Sequence, residues 1–174
     1  IIGEDFTFDN VRACGEAVAR NLIQTERADQ GVVVGFDTRF GSKRFAKAIT
    51  ETLNSFGIKT YIFDVPAPTP ACSFSVVDQK AANGVMITAS HNAPEWNGFK
   101  VKSNSGGSAA PEEIVDIEAH LHQVLEGTAN RISASQAQNH TFDVVTSYIE
   151  QLRRVIDVEP IKNSRLKVVV DSMH

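Results

Sequence analysis

Short apolar runs alternate with amphipathic stretches along most of the chain. Runs of Val, Ile and Phe bounded by glycine or proline are typical of buried strands, and apolar residues three or four positions apart are typical of helices. The pattern predicts strands over residues 32–35, 59–63, 85–88 and 99–102. It predicts helices over residues 7–24, 42–56, 69–82 and 111–125.

This alternation of strand and helix predicts an α/β fold with helices on both sides of a largely parallel sheet. The strand at 99–102 follows the strand at 85–88 too closely for a helical crossover, so it should run antiparallel to it. We therefore expect a three-layer domain whose mixed, mostly parallel four-stranded sheet lies between helices.

The composition changes in the polar, Ser/Ala/Gln-rich stretch 127–139. Beyond it, apolar positions over 144–155 predict another helix, and the run at 166–170 predicts a strand. We expect residues 1–137 to form one domain and residues 138–174 to begin a second, similar domain.

Candidate chemistry concentrates after the strand at 85–88. Ser90 would lie on a rigid support yet face solvent, which is a common place for a reacting side chain in an α/β protein. A serine hydroxyl is a weak nucleophile, and it reacts only with help from a base, a metal or an electrophile that is already primed for attack. His91 is its neighbour, but adjacent side chains on an extended chain point in opposite directions. Lys100, at the far end of the same segment, is a mobile cation suited to a phosphate or to proton transfer.

Two other interpretations of this segment are open. Ser, His and Asn are common turn formers, and Asn92 and Asn97 could be turn residues with positive φ. A serine hydrolase is disfavoured because Thr88 and Asn92 occupy the places that glycines hold in the G-x-S-x-G elbow.

A second polar loop follows the strand at 32–35, where Asp37 and Arg39 precede the predicted helix at 42–56. In one interpretation Asp37 caps that helix and Arg39 forms an ion pair with Asp37. In the other, the planar fork of Arg39 holds the Ser90 segment or binds phosphate oxygens. The P-A-P-T-P segment at 66–70 is interpreted as a rigid turn without chemistry of its own.

Residues 88–100, T-A-S-H-N-A-P-E-W-N-G-F-K, resemble the active-site loop of the α-D-phosphohexomutases, the phosphoglucomutase/phosphomannomutase superfamily. The usual form in that family is T-A-S-H-N-P-P-x-x-N-G-x-K, so Ala93 replaces the first proline. The G-x-D-T-R and P-T-P segments are similar to further family segments, and the resemblance extends over nearly the full chain.

The resemblance implies that Ser90 is a phosphoserine, which exchanges a phosphoryl group with a sugar phosphate. It also implies that Ser90 supplies one Mg²⁺ ligand through its phosphate, the other ligands lying outside this chain. His91 and Lys100 would lie close to the transferred group, with Lys100 assisting proton transfer. Support for the phosphate or the loop is expected from three residues: Arg39, Asp37 and Asn92.

For the whole protein, the resemblance implies interconversion of hexose 1-phosphate and hexose 6-phosphate through a hexose 1,6-bisphosphate. Glucose or mannose is the expected sugar, because the segment reads I-T-A-S rather than the I-S-A-S associated with glucosamine. The chain would be the first family domain plus the start of the second, inactive without the remaining domains. A non-catalytic sugar-phosphate-binding module is the alternative.

Charge and cysteine content narrow the class of partner. The formal net charge of −4 predicts no broad basic face for nucleic acid. No apolar run approaches membrane-spanning length. Cys14 and Cys72 lack metal-binding spacing, and we expect reduced thiols in a cytoplasmic protein.

Overall fold

The computed structural model describes residues 1–130 and 136–171, where five strands form one sheet. The strands are β1 Val32–Phe36, β2 Thr60–Phe63, β3 Asn83–Ile87, β4 Phe99–Ser103 and β5 Asn139–Phe142. The helices are α1 Phe8–Gln24, α2 Ser42–Ser55, α3 Thr69–Asp78, α4 Pro111–Leu125, α5 Val144–Val155 and α6 Val158–Lys162. A short 3₁₀ turn covers Ala28–Gln30.

The sheet order is β4-β3-β1-β2-β5. All neighbours are parallel except β4, which runs antiparallel to β3. The chain leaves β1 toward β2 on one side and then returns across β1 to β3. Right-handed crossovers in these opposite directions place α2 and α3 on opposite faces of the sheet. The predicted α/β fold with a mixed, mostly parallel sheet between helices is confirmed.

Helices α1 and α4 extend the α2 layer, and α5 packs against α3 in the other layer. Strands β1 and β3 are buried along their whole length, as expected for strands covered on both faces. On α2, Phe45, Ile49 and Leu53 form a stripe that is at most 3% exposed. The layers therefore share one apolar core around the central strands.

Strand β5 is a fifth strand in a sheet that was predicted to have four. Its sequence, Asn-His-Thr-Phe, has a single apolar residue, and only Phe142 is partly buried, edge-on to Phe63 with ring centroids 5.6 Å apart. Parallel pairing with β2 places residues 139–142 in the same sheet as the other four strands. Residues 131–135 of the predicted link lie outside the described residues, and the expected boundary at 137/138 stays a prediction.

The predicted strand at 166–170 is not formed: in the described residues this run pairs with no strand. Leu166, Val168, Val169 and Val170 are 76–92% exposed. An apolar run becomes a strand only where a neighbouring strand accepts its backbone hydrogen bonds. Residues 172–174 lie outside the described part of the chain. None of the described helices is long and apolar enough to cross a membrane.

Candidate active site

The chain connections from β1 and β3 leave in opposite directions from adjacent carboxyl ends, which is where α/β proteins usually bind ligands. Two loops meet there: residues 37–41 after β1, and residues 88–98 after β3, which we call the serine loop. A cavity of about 640 Å³ lies between them, closed on a third side by the start of α3. The size is in the range of small-molecule sites.

Ser90 lies exposed on this cavity with its backbone in the left-handed region, at φ 54°. Its backbone N–H donates to the hydroxyl of Thr88, a residue only 4% exposed, at 2.9 Å. A non-glycine residue with positive φ is strained and persists where its surroundings over-determine it. Neither Asn92 nor Asn97 has positive φ, so the alternative of positive φ at these two residues is wrong. The positive φ of this turn lies at Ser90 instead.

Lys100 is brought to Ser90 by the antiparallel pairing of β4 with β3, in which Lys100 lies opposite Met86. Its Nζ donates to Ser90 Oγ at 2.6 Å, and the lysine side chain is exposed. A cation at this distance can contact a phosphoryl group on Oγ and stabilise negative charge that develops there.

Arg39, in the loop after β1, hydrogen-bonds to the backbone of the serine loop. Its guanidinium donates to four backbone carbonyl oxygens: Ala93 at 2.8 Å, Trp96 at 3.0 Å, Ser90 at 3.0 Å, and Asn92. The side chain is only 14% exposed. Because these bonds occupy the ends of the fork, the geometry favours the interpretation in which Arg39 holds the loop.

Asp37 orients Arg39. Its Oδ1 accepts from the Arg39 backbone N–H at 3.0 Å and from the Ser42 hydroxyl at 2.8 Å, and its Oδ2 lies 3.5 Å from Arg39 Nε. The N-cap of α2 is Gly41, with φ 76° and no side-chain cap. The predicted capping role of Asp37 was therefore wrong, while the predicted pairing with Arg39 is present.

The far end of the serine loop is held by Asn97, which is 8% exposed. Its Nδ2 donates to Ser42 Oγ at 2.8 Å, and its Oδ1 accepts from Gly98 N–H at 2.9 Å. A Cβ on Gly98 would come within 2.8 Å of the Thr88 carbonyl oxygen, so this close approach requires glycine.

The two remaining predicted residues lie on the same loop. His91 is exposed on a shallow depression next to Ser90 and Lys100, and it makes no hydrogen bond within the described residues. Asn92 contributes through its backbone: its N–H donates to Ala89 at 3.0 Å, and its carbonyl accepts from Arg39. The structure thus brings all six predicted site residues to one end of the sheet.

Several residues that line the cavity were not predicted as site residues: Thr38, Phe40, Pro68, Thr69, Met86, Thr88 and Pro94. Phe40 is 77% exposed. Pro68 and Thr69 belong to the P-A-P-T-P turn that leads into α3. The signal for them was topological, because this turn follows a parallel strand and so lies at the same edge of the sheet.

The residues at this site do not by themselves form a Mg²⁺ site. Within the described residues no group of three or more His, Cys, Asp or Glu side chains is placed to hold a metal. Asp37 is the one carboxylate among the residues that line the cavity, and Arg39 and Ser42 already occupy it. Magnesium requires several oxygen ligands.

The fold and the site together define an α/β/α domain with a serine loop at its switch point. Residues 1–128 match the family described as phosphoglucomutase/phosphomannomutase, alpha/beta/alpha domain I. The chain belongs to this family, and the predicted relationship to the phosphohexomutases is confirmed.

Individual relatives agree with this assignment. A phosphoglucomutase from Staphylococcus haemolyticus is 33% identical over 160 residues, covering 88% of this chain and 29% of the relative. A phosphoglucosamine mutase from Chlamydia pneumoniae is 31% identical over 171 residues, covering 98% of this chain and 37% of the relative. The chain thus spans about a third of the length of these relatives.

Among solved structures, a Thermus thermophilus protein assigned as a phosphomannomutase superposes with a TM-score of 0.79. It is 37% identical, and the match covers 91% of this chain and 34% of that chain. Fold and sequence therefore point to the same family.

Proposed function

We propose that the full-length protein is a phosphohexomutase that interconverts hexose 1-phosphate and hexose 6-phosphate through a phosphoserine at Ser90. One observation carries the proposal. In a chain of this family, Ser90 is exposed at the switch-point cavity with Lys100 Nζ 2.6 Å from its hydroxyl oxygen. That is the arrangement a serine needs to hold and release a phosphoryl group.

In the forward step, the bond between phosphorus and Ser90 Oγ breaks, and a bond between phosphorus and a free sugar hydroxyl oxygen forms. The proton that the sugar hydroxyl loses is released to solvent. Ser90 Oγ takes a proton from the adjacent Lys100 ammonium, which regains one from solvent. The product is a hexose 1,6-bisphosphate. Its other phosphate then returns to Ser90 by the reverse of these steps, leaving the isomeric hexose monophosphate.

Phosphoryl transfer depends mainly on positioning and on charge stabilisation. In our proposal Arg39, Asp37 and Asn92 provide the positioning, because they hold the backbone on which Ser90 is mounted. Lys100 provides charge stabilisation at Oγ, and His91 lies next to the transferred group.

We further propose that Mg²⁺ binds the phosphate on Ser90 and that its other ligands come from the remaining domains. The site described above supplies too few ligands alone. Loss of one preorganised charge-stabilising group can cost roughly 10²–10³ in rate. We therefore expect negligible turnover from residues 1–174 alone.

The sugar is proposed as glucose or mannose. Relatives are named for glucose, mannose and glucosamine phosphates, so family membership leaves all three open. Thr88, which gives this loop its I-T-A-S sequence, is what favours the first two. We also propose a cytoplasmic location, in keeping with the two free cysteines.

The test is a coupled assay of the full-length protein with each hexose 1-phosphate and a catalytic amount of the matching 1,6-bisphosphate. We expect turnover of the glucose or mannose substrate, loss of detectable turnover in Ser90→Ala, and normal turnover in the control Ser55→Ala, an exposed serine at the end of α2. Binding of sugar phosphates without turnover of any of them would favour a non-catalytic binding module. Full activity of Ser90→Ala would refute the role of Ser90.

A further inference from the structure

Two buried side chains connect the loop after β1 with the far end of the serine loop, and the reaction described above uses neither. Asn97 Nδ2 donates to Ser42 Oγ at 2.8 Å, and Ser42 Oγ donates to Asp37 Oδ1 at 2.8 Å. Ser42 is fully buried and Asn97 nearly so. We call Asn97, Ser42 and Asp37 the hydrogen-bond chain.

The hydrogen-bond chain has one direction. Asn97 cannot turn its amide around without losing the bond from Gly98 N–H to its Oδ1, at 2.9 Å. Ser42 accepts one hydrogen bond and donates one, so its single proton is directed to Asp37. Removing the Ser42 hydroxyl leaves the buried Asn97 donor without its acceptor, which is a costly state. Both hydrogen bonds of the chain pass through the Ser42 hydroxyl, so both are lost when it is removed.

The hydrogen-bond chain reaches Ser90 through Arg39. Asp37 holds the Arg39 backbone N–H at 3.0 Å and faces Nε at 3.5 Å. Arg39 in turn donates to the carbonyl of Ser90 at 3.0 Å. The serine loop is thus held at Ser90 by Arg39 and at its far end by Asn97, and Ser42 joins the two attachments. This double attachment supports the strained φ of Ser90.

We propose that Ser42 and Asn97 are positioning residues for phosphoryl transfer at Ser90. They act through Asp37, Arg39 and the loop backbone, and Ser42, being fully buried, touches no substrate. The inference rests on the proposed function, because it assigns these residues to the same reaction. Its consequence is that loss of the hydrogen-bond chain misplaces Ser90 Oγ relative to Lys100 and slows transfer, while sugar-phosphate binding is retained.

The test compares Ser42→Ala with Ser75→Ala in the full-length protein. Ser75 is also fully buried, but its hydroxyl donates to the backbone carbonyl of Ala71 within α3, at 2.8 Å. It makes no hydrogen bond to the serine loop in the described structure. We expect kcat of Ser42→Ala to fall about 10- to 100-fold with KM changed less than about 3-fold, since small misplacements of reacting groups have effects of this size. Ser75→Ala should change both constants less than about 3-fold.

A second readout follows the loop directly. Amide hydrogen exchange over residues 88–98 should be faster in Ser42→Ala than in Ser75→Ala, because only the former releases the far end of the loop. Should Ser42→Ala fail to fold by circular dichroism, Asn97→Asp decides instead. Aspartate has nearly the same shape as asparagine, but it lacks the Nδ2 donor to Ser42 and places a second carboxylate near Asp37. Its control is Asn54→Asp, whose side chain bonds to Ile58 and Thr60.

The outcomes separate the two claims. An active wild-type protein with lowered kcat and retained KM in Ser42→Ala alone supports the inference. An active wild-type protein whose Ser42→Ala and Ser75→Ala variants behave alike overturns the inference and leaves the proposed function standing. A wild-type protein inactive toward every hexose 1-phosphate overturns the proposed function, and this inference with it.

Discussion

Helices α2 and α5 both carry an apolar stripe, yet the two stripes end in different environments. On α2, Phe45, Ile49 and Leu53 are at most 3% exposed beneath the sheet. On α5, Val144 is buried, but Ile149 is 40% and Val155 is 66% exposed. The difference lies in the neighbours, since α2 packs against α1 and three strands, whereas α5 packs mainly against α3 in the described residues.

The comparison shows that periodicity predicts the helix but not how deeply it is buried. Burial requires a facing apolar surface, and only then does the stripe contribute hydrophobic free energy.

The same comparison separates two kinds of loop. The serine loop begins and ends beside buried elements, and the first residue of α2 is part of its hydrogen bonding. No comparable attachment holds residues 163–170, the exposed run after α6, in the described structure.

The largest contrast we expect is between two lysines. Lys100→Ala should lower kcat of the full-length protein by about 10²–10⁴-fold, because acid–base and charge-stabilising groups contribute in this range. Lys162→Ala on α6 removes only an exposed ion pair with Glu159 and should leave kcat within about 2-fold. Steady-state kinetics measures both. Equal effects at the two positions would contradict the assignment of Lys100.

The next contrast concerns stability. Ile49→Ala should lower the free energy of unfolding by about 2–5 kcal/mol, because it leaves a cavity in a packed core. Ile149→Ala should lower it by about 1 kcal/mol or less, since that side chain is already 40% exposed. Denaturant titration of residues 1–174 compares them. A larger loss at Ile149 would mean that α5 is more tightly packed than described.

A smaller effect is expected from Arg39→Lys. Lysine keeps the charge but cannot reach four carbonyl oxygens at once, so the serine loop loses part of its support. We expect a fall in kcat of about 10- to 100-fold. Arg153→Lys, on the exposed side of α5, is the control and should have no measurable effect. Unchanged kcat in Arg39→Lys would show that the serine loop keeps its active conformation without the hydrogen bonds from Arg39.

The smallest effect concerns the start of α5. Hydrogen bonds from the Thr146 hydroxyl and backbone N–H hold the pKa of Asp143 below its usual value. A carboxyl with a lowered folded-state pKa stabilises the fold above its unfolded pKa, and this contribution is lost as the pH falls through the folded pKa.

Asp143→Ala should therefore reduce the helicity of α5 slightly at neutral pH, and the variant and the wild type should converge in acid. Circular dichroism as a function of pH checks this. A difference that grows as the pH falls would contradict the capping role of Asp143.

Most helices and the central strands could be predicted from sequence because they are buried and periodic. The exceptions have identifiable causes. Helix α3 ends at Asp78 rather than near 82, since Lys80 takes a positive φ of 52°, which residue type alone does not reveal. Strand β5 has too few apolar residues to show periodicity. The run at 166–170 is apolar enough for a strand but has no partner strand among the described residues.

For the site, the motif pointed to Ser90, Lys100 and Arg39, and one interpretation had Arg39 holding the Ser90 segment. The atoms to which Arg39 bonds could not be predicted. Arg39 bonds to backbone carbonyls, which any residue provides, so its partners leave no trace in the sequence. The roles of Ser42 and Asn97 depend on two loops meeting at the sheet edge, and separation along the chain hides that proximity.

The most direct test of the central claim is phosphopeptide mass spectrometry of the full-length protein after incubation with a hexose 1,6-bisphosphate. We predict one phosphoryl group on the peptide containing Ser90, and its removal when excess hexose monophosphate is added. A peptide that remains unmodified at Ser90 while the protein turns over hexose phosphates would contradict the account.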